Sequence, residues 1–275
     1  MRICVPVPCF FGNMDFCEAI EKIADLGFDA IETYNWKNLD LDKVRATCEK
    51  RGVELLSMCT TEFKLTDAQY RDAWLAGLKE SCEAANRVGA KRLITQVGQD
   101  TGAPRAEQHK NIVETLKLAA PILDKTGVTI MIEPLNTLYN HPGYYLWSAV
   151  EAFEIIHEVN HPLVKIVYDI YHQQVMEGNI INNITNNLDC IAHLHSAGHP
   201  GRIDLQFGEN DYKYIFKRVD EAGYTGACGL EYRPTMDPAE SLRVARELYG
   251  KPGAGSVPAL EKHARPEKLL PGEEA

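Results

Sequence analysis

Short apolar, β-branched runs alternate with amphipathic stretches along nearly the whole chain. Runs with strand character fall at Ile3–Val7, Ala30–Glu32, Val53–Met58, Arg92–Gln96, Thr129–Glu133, Val164–Asp169, Ile191–His195 and Ala227–Glu231. Helical periodicity fills the intervals: Asp15–Leu26, Leu41–Arg51, Ala68–Val88, Ala106–Lys125, Ser148–Val159, a weaker Val175–Asn187, Tyr212–Ala222 and Pro238–Leu248. Gly27, Gly52, Gly89, Gly127 and Gly223 follow helical stretches where a left-handed cap residue belongs. Leu26–Glu32 and Ala222–Glu231 repeat one order: helix end, glycine, strand, terminal Glu. Eight strand–helix units predict an α/β fold, a single (β/α)8 TIM barrel over residues 1–249. No glycine-rich dinucleotide or P-loop pattern follows any strand, which removes the usual reason for an open nucleotide-binding sheet. Residues 250–275 turn rich in Pro, Gly and charge, and read as a polar C-terminal arm.

Composition changes this picture little. The 275 residues carry 45% hydrophobic and 25% charged side chains, ordinary for a folded domain. A formal charge of −10 argues against nucleic acid or an anionic membrane surface as the main partner. No window approaches a membrane span, and the N-terminus starts directly on a strand without a signal-peptide pattern. Eight cysteines lie mostly inside apolar runs with no Cys-x-x-Cys, as expected of reduced, buried thiols in a cytoplasmic protein.

Candidate chemistry sits at the strand ends. Glu133, Asp169, His195 and Glu231 each close an apolar run, at spacings of 36, 26 and 36 residues, one βα repeat apiece. In a closed parallel barrel those ends open on one face, so three carboxylates and an imidazole converge. That donor set suits one divalent cation such as Mn²⁺, Mg²⁺ or Co²⁺ better than thiolate-bound zinc. Taken singly, Glu133 fits a cap or salt bridge equally well, and Asp169 reads as a helix cap. Proline follows Glu133 at once and Glu231 three residues on, stopping both strands. Two carboxylates flanking a polarised carbonyl can serve as acid and base, taking a proton from one carbon and returning it to the next. His193 and His195 alternate on one strand and share a face, with His195 at the mouth and His193 one layer deeper, in the core or behind the ligands. Arg202, on the loop above, is a ready partner for a substrate carboxylate or hydroxyl.

Ile132-Glu-Pro-Leu-Asn136, Asp169-Ile-Tyr-His172, the Pro200-Gly-Arg202 loop after His193-x-His195 and Gly229-Leu-Glu-Tyr232 together resemble the hydroxypyruvate isomerase family of the xylose-isomerase-like TIM barrels, over about residues 1–248. The resemblance implies metal binding by Glu133, Asp169, His195 and Glu231, acid–base catalysis by the two Glu, and substrate contacts from His172 and Arg202. The family usually has Gln at the position of His195, whereas the related ketose 3-epimerases have His. The loop from His195 to Arg202 keeps the hydroxypyruvate isomerase length. The expected activity is isomerisation of hydroxypyruvate or a similar small hydroxy-keto acid through an enediolate. Ketose 3-epimerisation (tagatose, allulose or ribulose type) and lyase or dehydratase chemistry are the alternatives. The aromatic-rich segment after Glu133, with Tyr139, Tyr144, Tyr145 and Trp147, is of the kind that covers a site or meets a partner subunit, and a homodimer or homotetramer is expected.

Overall fold

A computed structural model describes residues 1–61 and 64–249. Eight parallel strands close into a barrel in sequence order: β1 Arg2–Pro6, β2 Ala30–Glu32, β3 Glu54–Cys59, β4 Arg92–Thr95, β5 Thr129–Ile132, β6 Val164–Asp169, β7 Ile191–Ser196 and β8 Ala227–Leu230. β8 closes on β1 through Arg2–Ala227, Ile3–Cys228 and Cys4–Gly229 pairs. The (β/α)8 expectation holds.

Ten α-helices, rather than eight, surround the strands among the described residues: α1 Val7–Phe11, α2 Phe16–Asp25, α3 Leu41–Arg51, α4 Arg71–Val88, α5 Arg105–Thr126, α6 Ala149–Val159, α7 Ile170–Met176, α8 Ile180–Thr185, α9 Tyr212–Glu221 and α10 Pro238–Tyr249. The extra helix α1 lies in the apolar run Val7–Phe11, which continues β1 in composition; Pro8, at the helix start, sets its first turn. The stretch expected as one helix over Val175–Asn187 is two. Gly178 and Asn179 both adopt positive φ (64° and 50°) and break it, while Asp169 caps a helix that begins five residues earlier than expected. The five cap glycines take positive φ as expected.

Helix starts follow their side chains. Asp15, Asp40 and Ser148 accept backbone N–H groups at the starts of α2, α3 and α6. One continuous apolar core runs between helices and strands, from Ile20 and Ile31 to Phe216 and Leu242. All eight cysteines are free, six of them buried, in line with the thiol expectation. No helix among the described residues is long and apolar enough to cross a membrane. The proposed C-terminal arm, residues 250–275, lies outside the described residues.

Candidate active site

The strand ends gather as the spacing predicts. Glu133 follows the last residue of β5, Asp169 ends β6, His195 is the penultimate residue of β7 and Glu231 follows β8. Register sets their common height: Asp169 pairs with His195, and His195 with Gly229, two residues before Glu231. One donor atom from each of Glu133, Asp169, His195 and Glu231 lies within 4.8 Å of the others. They sit beside a cavity of about 520 Å³ whose lining includes Tyr34, Trp36, Lys37 and Cys59 as well as Glu133, His195 and Glu231.

Backbone anchors hold these side chains. The Tyr144 hydroxyl accepts the Val97 N–H at 2.8 Å and donates to the Glu133 carbonyl at 3.1 Å, pinning the turn after β5. Tyr144 and Tyr145 are buried, so of the aromatic segment Tyr139 is the residue turned most to solvent, at 68% exposure. Both buried hydroxyls find partners inward, Tyr145 on the Arg105 carbonyl and Glu151. Asp169 combines two roles that compete in the sequence. Its Oδ1 accepts the Tyr171 N–H at 2.8 Å and caps α7, while Oδ2 faces Arg202 and His172, each 3.4 Å away.

Charge is concentrated and buried. His195 Nδ1 stands 2.7 Å from Glu231 Oε2 and 3.3 Å from Glu133 Oε1. Arg202 Nη2 lies 2.8 Å from Glu231 Oε2, and its Nε–H is donated to the Glu231 carbonyl at 3.1 Å. Arg202 reaches down because its loop curls back through two left-handed residues, Gly201 (φ 101°) and Arg202 itself (φ 53°). Burial opposes ionisation of Glu231, but Arg202 and His195 outweigh it and hold the carboxyl well below the usual range. Burial dominates at Asp169, which is pushed up to about 7 against the pull of Arg202, and it raises Glu133 as well. His195 is buried, yet Glu231 and Glu32 hold its imidazole well above the ordinary value.

The donor chemistry fits a divalent cation. Glu231 Oε2 is buried and close to Nδ1 without an aligned hydrogen bond, Glu133 lies on the same nitrogen, and a donor atom of Asp169 lies within 4.8 Å of the group. A proton on Nδ1 or a cation between these groups resolves the crowding of lone pairs, and oxygen-rich sites with one imidazole suit Mn²⁺, Mg²⁺ or Co²⁺.

His172 is fully buried, with Nδ1 accepting the Asn136 backbone N–H at 3.1 Å. Its proton therefore sits on Nε2, which faces Asp169; burial, then Arg202, keeps the ring neutral by holding its pKa well below the ordinary value. The sequence reading missed Glu32. It is 1% exposed, it lies within 3.4 Å of His195 Nε2, and burial is outweighed by His195 and His193, which hold it ionised. The signal was present in the recurring helix–glycine–strand–Glu order, which ends on Glu32 as it does on Glu231.

Comparison with known proteins adds likenesses of sequence and of fold. The family described as xylose isomerase-like TIM barrel matches residues 20–248. Hydroxypyruvate isomerase of Escherichia coli K12 is 30% identical over 256 residues, covering 88% of this chain and 97% of the relative. A 2-oxo-tetronate isomerase of Cupriavidus necator is 33% identical over 170 residues, covering 62% of this chain and 65% of that protein. Among solved structures, an AP endonuclease family 2 protein from Brucella melitensis superposes with a TM-score of 0.83 at 24% identity, covering 88% of this chain and 96% of its own. D-psicose 3-epimerase from Clostridium cellulolyticum H10 does so at 0.75 and 19%, covering 90% and 99%. At those identities the structural likeness concerns the fold.

Proposed function

Because the chain belongs to the xylose isomerase-like TIM-barrel family, on its hydroxypyruvate isomerase side, and is an isomerase-type enzyme, we propose that it isomerises hydroxypyruvate or a similar small hydroxy-keto acid through an enediolate. The observation that carries this reading is the convergence of Glu133, Asp169, His195 and Glu231 within 4.8 Å at the barrel mouth. These four residues would hold one divalent cation, which would supply Lewis-acid polarisation of the substrate carbonyl.

The chain's own residues then move protons. Glu231, kept ionised by Arg202 and His195, takes a proton from C3 of hydroxypyruvate. The C3 hydroxyl proton passes to the oxygen on C2 as the enediolate redistributes. Glu133, whose carboxyl is raised by burial, gives a proton to C2, and tartronate semialdehyde results. Solvent takes the proton from Glu231 and supplies one to Glu133, which resets the pair. His172 offers its Nε2–H and Arg202 its guanidinium to the substrate's oxygens.

A second reading is ketose 3-epimerisation, favoured by the imidazole at position 195. In that case the opposed Glu133 and Glu231 work on the two faces of one carbon. Incubation in D₂O with Mn²⁺ and either hydroxypyruvate or a panel of ketoses tests the proposal. Carbon-bound deuterium in tartronate semialdehyde is expected. Inversion at C3 of a ketose with no turnover of hydroxypyruvate overturns it, and release of water or a carbon fragment points instead to a lyase.

A further inference from the structure

Beneath the four converging residues lies a carboxylate that neither end of the barrel exposes. Glu32 ends β2 and reaches across the interior to β7. Its Oε2 accepts the Ser57 hydroxyl at 2.7 Å and stands 3.4 Å from His195 Nε2. His193 Nε2 comes within 3.0 Å of the same oxygen without an aligned hydrogen bond. Room for the group is made on β8. A Cβ at Gly229 would come 2.1 Å from Glu32 Oε1 and 2.8 Å from His195 Cδ2. Glycine weakens a strand interior, so its presence marks a close approach that the site requires.

We propose that Glu32 is a positioning residue: it accepts the Nε2–H of His195 and thereby turns Nδ1 toward Glu133 and Glu231. Nδ1 is 2.7 Å from Glu231 and 3.3 Å from Glu133, so the ring presents one nitrogen to each neighbourhood. A carboxylate on the far nitrogen fixes the orientation and tautomer of a ligating histidine and raises its basicity. Ser57 in turn orients Glu32. The inference rests on the reading of His195 as a cation ligand. Cys4, Glu32 and His193 also have donor atoms within 4.8 Å of one another. All three are sealed in the interior, which leaves an ion no entry path, so the carboxylate acts on His195 rather than on a second cation.

Two readouts test this role. Mn²⁺ binding followed by electron paramagnetic resonance is expected to weaken about 10- to 100-fold in Glu32→Gln, with circular dichroism unchanged. In metal-free protein, a far-downfield imidazole proton that disappears in His195→Ala is expected to shift upfield in Glu32→Gln and to persist in Glu231→Gln. Mn²⁺ affinity within twofold of wild type in folded Glu32→Gln, or a downfield proton indifferent to that substitution, overturns the proposal. Wild-type protein that takes up no Mn²⁺ defeats the cation reading alone, and the proton resonance then decides the role of Glu32. Should Glu32→Gln fail to fold, Gly229→Ala keeps the carboxylate but displaces it, and the same two readouts apply.

Discussion

Arg202 grips Glu231 twice, with Nη2 2.8 Å from the carboxylate and Nε–H donated to the same residue's carbonyl. The guanidinium is thus committed to Glu231, one of the two carboxylates proposed as acid and base. Removing it in Arg202→Met leaves Glu231 buried beside Glu133 and Asp169 with one cation fewer. The Glu231 carboxyl in metal-free protein is expected to titrate about 1–3 pH units higher than in wild type. Carbon-13 NMR titration checks this, and an unmoved carboxyl would show that His195 alone sets it.

Each donor at the mouth should matter to cation binding. Glu133→Gln, Asp169→Asn and His195→Ala are each expected to lower Mn²⁺ affinity from a wild-type stoichiometry of about one ion per chain. Equilibrium dialysis measures it. Unchanged stoichiometry and activity in all three would sink the site.

Cation binding should also depend on pH. Asp169 is pushed up to about 7, and His195 is held protonated above its ordinary value. Both protons compete with the cation for these groups, so affinity falls as pH drops. A loss of about tenfold per pH unit below 7 is expected for each proton released. Calorimetric Mn²⁺ titrations at pH 6 and 8 in buffers of different ionisation enthalpy count those protons.

A separate network ties α5 to α6. His109 Nδ1 lies 3.1 Å from Glu151 Oε1 and Nε2 lies 3.1 Å from Glu158, with Arg105 and the Tyr145 hydroxyl also on Glu151. The Glu151 hydrogen bond is the main cause that raises the His109 pKa. A raised folded pKa contributes stability that is fully present below the unfolded value near 6.5 and is lost as pH rises through the folded value. His109→Gln should therefore cost about 1 kcal/mol at pH 5.5 and less at pH 9. Urea unfolding at both pH values decides it; an equal loss at the two would remove the linkage.

Three apolar side chains stand exposed on the βα segments. Leu138, Tyr139 and Phe207 are 63%, 68% and 45% exposed. We expect a homodimer or homotetramer that uses this apolar surface, and weaker association in Tyr139→Ser. Sedimentation of wild-type protein as a monomer at micromolar concentration would rule it out.

The order of strands and helices was legible from the chain because apolar period and capping chemistry are local, as Asp40 before α3 and Gly52 after it illustrate. Glu133, Asp169 and Glu231 could be picked out for the same reason, since a carboxylate ending an apolar run must face the open end of a barrel or be paired. The break between α7 and α8 was less visible, because two consecutive left-handed residues, Gly178 and Asn179, leave only a faint signature in composition. Tertiary structure alone decided two further meetings of charge. Arg202 reaches Glu231 because its loop doubles back, and Glu32 reaches His195, 163 residues away, because barrel closure brings β2 across to β7 and Gly229 leaves the gap between them. Such contacts depend on register and on the space left by a third strand, and neither is a property of the residues taken in sequence.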